Sequence, residues 1–169
     1  MEFKNKEIER KFLIRYPSEA VLGSVPSENR SRIIQTYLIS KEGITSRVRS
    51  RTYHSGTIYT KTEKKRINSV SCFEDERELT KEDYEAELKN ADPNRIPIEK
   101  ERLLLASGKH IFEIDIYPFW GDRAIMEVEL SDEDEDFVIP EGIELIKDVT
   151  EDRRYKNSRL AENIPMEDI

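Results

Sequence analysis

Cysteine is nearly missing from this 169-residue chain: Cys72 stands alone, so no disulfide can form within it. Long apolar runs are missing too, and no signal-peptide pattern opens the chain, so a cytoplasmic protein with no membrane partner is the expectation. Positive charge is in deficit, 28 Lys and Arg against 36 Asp and Glu, for a net charge of −8. That balance argues against nucleic acid or an anionic membrane as the main partner, because phosphate backbones need a basic surface. It leaves room for a local basic pocket. No repeat at solenoid spacing and no low-complexity or Pro/Gly/Ser-rich linker divides the sequence, so residues 1–169 read as a single domain. His54 and His110 lie beside turn signals with no second His or Cys at ligand spacing, and read as surface histidines rather than zinc ligands.

What the chain has is charge, and the charge is ordered. Charged residues make up 38% and apolar residues 36%. In Glu7-Ile-Glu-Arg-Lys-Phe-Leu-Ile14 the two kinds alternate, and a β-strand sends successive side chains to opposite faces. Glu7, Glu9 and Lys11 then share one face, while Ile8, Phe12 and Ile14 share the other.

Similar alternation predicts strands over 33–40, 44–53, 57–63, 72–79, 97–105, 110–117 and 123–130. Arg47, Arg49 and Arg51 fall on one face, and Tyr59, Lys61 and Glu63 fall together on the next strand. Glu74, Glu76 and Glu78 follow, then Lys100 with Arg102, Glu113 with Asp115, and Glu127 with Glu129. Lys64 to Ser69 reads as a loop. Short helices are predicted at 17–25, from a Thr80 cap through Tyr84, Leu88 and Ala91, after Ser131 along the acidic run, and from Thr150 or Asp152 over 153–161.

Eight strands joined mostly by short turns predict an α+β fold: an eight-stranded antiparallel β-barrel with helices packed outside. Periodicity does not say which face is inside. Polar faces turned to water around an apolar core are one reading. The other turns the charged faces inward, because acidic and basic residues are sorted strand by strand, and exposed pairs worth only ~0–1 kcal/mol each gain little from such sorting. An interior of that kind suits a hard divalent cation on its carboxylates and phosphate oxygens on its Arg and Lys side chains.

The order of these residues resembles the CYTH domain, the fold of the triphosphate tunnel metalloenzymes. Glu7-x-Glu9-x-Lys11 is similar to the ExExK signature of that family. The resemblance continues through Arg47-x-Arg49, Lys61, Glu74-x-Glu76-x-Glu78, Lys100-x-Arg102, Glu113-Ile-Asp115 and Glu127-Val-Glu129. It ends at Asp148-Val-Thr-Glu-Asp-Arg-Arg-Tyr-Lys-Asn157, where Asp148 replaces the more usual Glu.

What the resemblance implies is an antiparallel tunnel that binds a triphosphate and one or two divalent metals, Mg²⁺ or Mn²⁺. It makes Glu7, Glu9 and Glu129 metal ligands, with Asp115 and Glu127 as helpers. It makes Lys11, Arg47, Arg49, Lys61, Lys100 and Arg102 phosphate binders, and gives Glu76 the orienting of a basic neighbour or a water. Glu7, Glu9, Lys11, Glu76 and Glu127 form the implied catalytic set. Arg153 and Arg154 either reach the tunnel mouth or decorate the last helix. The implied activity is metal-dependent hydrolysis of the terminal phosphate of a small triphosphate, and the lack of an assignable aromatic pocket favours inorganic tripolyphosphate. The alternatives are a thiamine or nucleoside triphosphatase, an adenylyl cyclase of the same fold and, outside enzymes, a polyphosphate-binding module. A homodimer is compatible with each.

Overall fold

Eight strands close into a barrel in the computed structural model, which describes residues 5–169. They are β1 (Asn5–Arg15), β2 (Arg30–Tyr37), β3 (Ile44–Tyr53), β4 (Gly56–Arg66), β5 (Ser71–Leu79), β6 (Ile98–Ser107), β7 (His110–Ile116) and β8 (Arg123–Leu130). The pairing order is β5-β4-β3-β2-β6-β7-β8-β1, and β5 returns to β1 to complete the ring. A ninth strand that the sequence does not announce, β9 (Leu145–Asp148), pairs with β1 over Phe12 to Ile14, where β5 no longer reaches.

Alternation does what a barrel requires of it. Ile8, Phe12 and Ile14 of β1 turn outward and join Phe112, Ile114, Met126 and Val128 in a buried cluster. Over it lie α1 (Glu19–Ser24), whose N-cap Ser18 hydroxyl accepts from the Val21 amide, and Phe137, Ile139 and Ile143. On the opposite flank α2 (Lys81–Glu87), capped by Thr80, brings Tyr84 and Leu88 onto Val48 and Leu79. Burying each large apolar side chain contributes ~1.5–3 kcal/mol, which favours the register that turns the charged faces inward.

Four local expectations are corrected. Lys64 to Arg66 are not loop but the end of β4, paired with Glu74, Phe73 and Cys72. No helix follows Ser131: the carboxylates of 132–136 repel at helical spacing, and Asp132 accepts from the Asp134 amide while Glu135 accepts from the Ser131 amide. His110 is buried rather than on the surface, with its imidazole paired to Glu135. The segment expected as one outer helix over 153–161 is a 3-10 turn, Arg153–Tyr155, followed by the short α3 (Asn157–Leu160). It sits at one end of the barrel interior rather than on the outside. There Tyr155, Leu160 and Ala161 pack on Leu13, Ile98, Tyr117 and Ile125, which lie on the same strand faces as Lys11, Lys100, Asp115 and Glu127. One end of the interior is therefore apolar and filled. No helix of the described residues is long and apolar enough to cross a membrane.

Candidate functional site

The rest of the interior is a cavity of about 930 Å³ that follows the barrel axis, from Ile44 at the start of β3 to Arg51 near its end. Of the residues singled out in sequence, the structure brings together Glu7, Glu9, Lys11, Arg47, Arg49, Glu76, Arg102, Glu127 and Glu129. They converge because each inward strand face contributes every second residue and neighbouring strands are in register. Lys11 is paired with Glu127, Glu9 with Glu129, Arg47 with Thr62, and Thr62 with Glu76.

Lys11 and Glu127 form an ion pair on the wall at 3.2 Å, and the Lys11 ammonium also donates to the Tyr155 carbonyl at 3.3 Å. Burial opposes the charge of Glu127, yet Lys11, Arg102 and Lys100 outweigh it and bring its carboxyl down to about 2. Burial likewise opposes the Lys11 charge, and Glu127 and Glu9 hold it above its ordinary range.

Glu9, two residues away, behaves in the opposite way. Burial and the Glu127 charge push its carboxyl up to about 8, more than Lys64 and Lys11 relieve. Its cross-strand partner Glu129 is raised by burial, Glu7 and Glu113. Two in-register carboxyls short of positive charge suit a hard cation with oxygen ligands. Among the described residues no three His, Cys, Asp or Glu side chains already stand at cage spacing. The donor chemistry fits a divalent cation at Glu7, Glu9 and Glu129. Asp115 does not belong with them, since both of its oxygens are taken by Arg102 and Lys100.

Facing these acids is a wall of arginines. Arg49 donates to Gln35 at 3.0 Å, but its Nε and the Nε of Arg47 are buried and have no partner among the described residues. Burial, then Arg47 and Arg102, bring Arg49 down to about 9, so it still carries its charge at neutral pH. Arg51 donates to Ser31 at 2.9 Å. Buried guanidinium donors without acceptors are costly, and an anion with several oxygens satisfies them together.

Two residues expected to bind phosphate lie elsewhere. Lys61 is paired with Val48 on the outer face, with its ammonium 3.0 Å from Glu87 of α2. The strand parity that turns Thr62 inward turns Lys61 out, and Lys64 takes the inward place, 3.3 Å from Glu74 and 3.6 Å from Glu7. Lys100 is sealed below the cavity, 2.7 Å from Asp115. Arg66, Arg153 and Lys156 line the cavity, whereas Arg154 pairs with Asp152 and Glu167 away from it. Lys64 and Arg66 were legible as the continuation of the Thr60-Thr62 parity. Lys156 had no such signal, because its place depends on how the C-terminal segment enters the barrel. Cys72 is half-buried on the cavity wall, register partner of Glu7.

No family model matches the chain, and no curated protein matches it in sequence. Solved structures do. The crystal structure of the inorganic triphosphatase NE1496 superposes with a TM-score of 0.59 at 28% identity, over 97% of this chain and 99% of that one. The PH1819 protein from Pyrococcus horikoshii OT3 aligns at a TM-score of 0.56 and 16% identity, over 76% of this chain and 81% of that one. A candidate adenylate cyclase from Bacillus halodurans aligns at 0.53 and 16%, over 77% and 84%. The closed antiparallel barrel is the fold this chain shares with them.

Proposed function

We propose that the chain is a divalent-metal-dependent phosphoanhydride hydrolase, a cytoplasmic enzyme that removes the terminal phosphate of inorganic tripolyphosphate. The observation that carries the reading is the pairing of opposites in one cavity: Arg47 and Arg49, whose buried Nε donors have no partner among the described residues, across from Glu9 and Glu129 with carboxyls raised by burial and by neighbouring acids. A triphosphate with its metal satisfies both walls together. Similarity to the inorganic triphosphatase NE1496 over nearly the whole chain supports the same substrate class.

Arg47, Arg49 and Arg102 bind the phosphate oxygens and neutralise the charge that grows on them as the terminal bond breaks. Glu7, Glu9 and Glu129 hold Mg²⁺ or Mn²⁺, which when bound supplies a Lewis acid and lowers the pKa of water at the site. Glu127 keeps Lys11 protonated and aimed at the substrate. Glu76, held by the Thr62 hydroxyl at 2.8 Å, orients the attacking water. Purified protein incubated with tripolyphosphate, ATP or thiamine triphosphate and Mg²⁺ or Mn²⁺ is expected to release free phosphate from tripolyphosphate most readily. Cyclic AMP from ATP, or turnover of none of the three, overturns the reading.

A further inference from the structure

We infer that Lys156, on the C-terminal segment, forms with Arg66 of β4 and Arg153 a second phosphate subsite, which grips the end of the substrate opposite to the one held by Arg47, Arg49 and Arg102. The inference rests on the triphosphate reading above and extends it beyond the strands to the segment that fills one end of the barrel.

The placement of that segment is the ground. Tyr155, Leu160 and Ala161 are buried in the apolar end of the interior, which pins the backbone on both sides of Lys156. The Tyr155 carbonyl is tied to the Lys11 ammonium at 3.3 Å. Between these anchors, Lys156, Asn157 and Ser158 face the cavity. Asn157 is engaged, since its Oδ1 accepts from the Tyr117 hydroxyl at 2.6 Å. Arg154 and Arg159, on the same segment, both have carboxylate partners. Lys156 is half-buried and has no ion-pair partner among the described residues, and the charges that bear on it most are Arg66, Lys11 and Arg153. Burial and those cations bring its ammonium down to about 8. A half-buried cation among cations is unfavourable alone and is stabilised by an anion.

The two cation groups are separate. The cations that bear on Arg49 are Arg47 and Arg102, with none from the Lys156 group among the leading ones. Arg47, the nearer member of the arginine group, is paired with Thr62, and Arg66 lies four residues further along that strand, about 13 Å at ordinary strand rise. Long side chains reaching inward from both ends leave a gap that a chain of linked phosphates bridges. Pyrophosphate fills the arginine group alone, while a third phosphate extends toward Lys156.

Lys156→Gln is expected to raise KM for tripolyphosphate about tenfold, the size of one charge-assisted contact, with kcat within about threefold. Pyrophosphate binding, followed by calorimetry, is expected to stay within about twofold of wild type, which also reports that the variant is folded, and Lys156→Arg is expected to restore KM. An unchanged KM in Lys156→Gln, in protein whose wild type turns over tripolyphosphate, overturns the subsite and leaves the triphosphatase reading standing. Equal weakening of pyrophosphate also overturns it, since Lys156 would then act on any anion in the cavity. Wild-type protein that neither hydrolyses nor binds tripolyphosphate overturns the underlying reading instead.

Discussion

The Lys100 ammonium lies 2.7 Å from Asp115 Oδ2, with the two side chains 0% and 1% exposed, so the pair is shut off from the cavity it underlies. Arg102 grips the same carboxylate with Nε at 2.7 Å and Nη2 at 2.8 Å. Asp115 thus brackets Arg102 in place, and Lys100 supplies the second positive charge that a buried carboxylate between strands needs. Burial brings Lys100 down to about 7, more than Asp115 restores, so the pair is finely balanced.

Lys100→Met should therefore act on stability before it acts on substrate. Removing one member of a buried pair costs roughly 3 kcal/mol. Urea unfolding at neutral pH is expected to show a loss of that order, with KM for tripolyphosphate within about threefold of wild type. A tenfold rise in KM at unchanged stability would return Lys100 to the group that touches substrate.

Arg49→Gln is expected to show the reverse pattern. The side chain carries a buried charge with an unpartnered Nε, so its neutral replacement should leave the melting temperature unchanged or higher. Tripolyphosphate affinity should fall roughly 10- to 100-fold, the equivalent of losing a charge-assisted contact of ~1.5–3 kcal/mol. Calorimetric titration beside a thermal melt checks both halves.

Lys61 and Lys64 offer a test of strand parity. Lys61→Ala removes a partly exposed pair with Glu87 on the outer face and should cost under about 1 kcal/mol with no change in KM. Lys64→Ala removes a cation that faces Glu7 and Glu74 inside the cavity, and should change both KM and the metal concentration needed for half-maximal activity. Steady-state kinetics on the two variants separate the faces. Equal effects would mean that the β4 register is wrong.

Glu9 sets a pH dependence whose sign is fixed by its raised carboxyl. Its proton is held up to about 8 in the fold but is lost near about 4.3 in an unfolded chain. Between those values the unfolded chain binds fewer protons, so this group makes the metal-free protein less stable as pH rises through 5 to 8. Lys100 and Lys156, depressed to about 7 and 8, contribute with the opposite sign from about pH 6 upward, so pH 5 to 6 is the clean window. Urea midpoints should fall across that window in wild type and flatten in Glu9→Gln. Because metal and proton compete for the same oxygens, Mg²⁺ or Mn²⁺ should raise the melting temperature more at pH 7.5 than at pH 5.5, and Glu9→Gln should abolish metal-dependent phosphate release with an unchanged circular dichroism spectrum.

Much of this was legible in residue order. The strands from Glu7 to Ile14, Ile44 to Tyr53 and Arg123 to Leu130 follow from alternation, and the Thr80 cap of α2 follows from a hydroxyl three residues before a first-turn amide. The faces shared by Glu7, Glu9 and Lys11, and by Arg47 and Arg49, are also properties of local geometry, since a strand has period two whatever surrounds it. The parity of Lys61 was available in the same way, but the resemblance to a motif placed it inside while its register with Val48 places it outside.

What local order could not decide was everything that depends on closure. Which face lies inside was set only when β5 met β1 and the apolar faces found α1, α2 and the 137–143 segment to cover them. β9 pairs with β1 because β5 leaves that part of the edge open, a vacancy created by the stagger of the barrel rather than by the sequence of 145–148. The turn of Tyr155 into the apolar end of the interior, and with it the arrival of Lys156 in the cavity, follows from the space left by Leu13, Ile98 and Ile125. Charge alternation therefore determined which residues travel together, and tertiary packing decided which charges are left inside without partners, because that depends on distances between strands far apart in the chain.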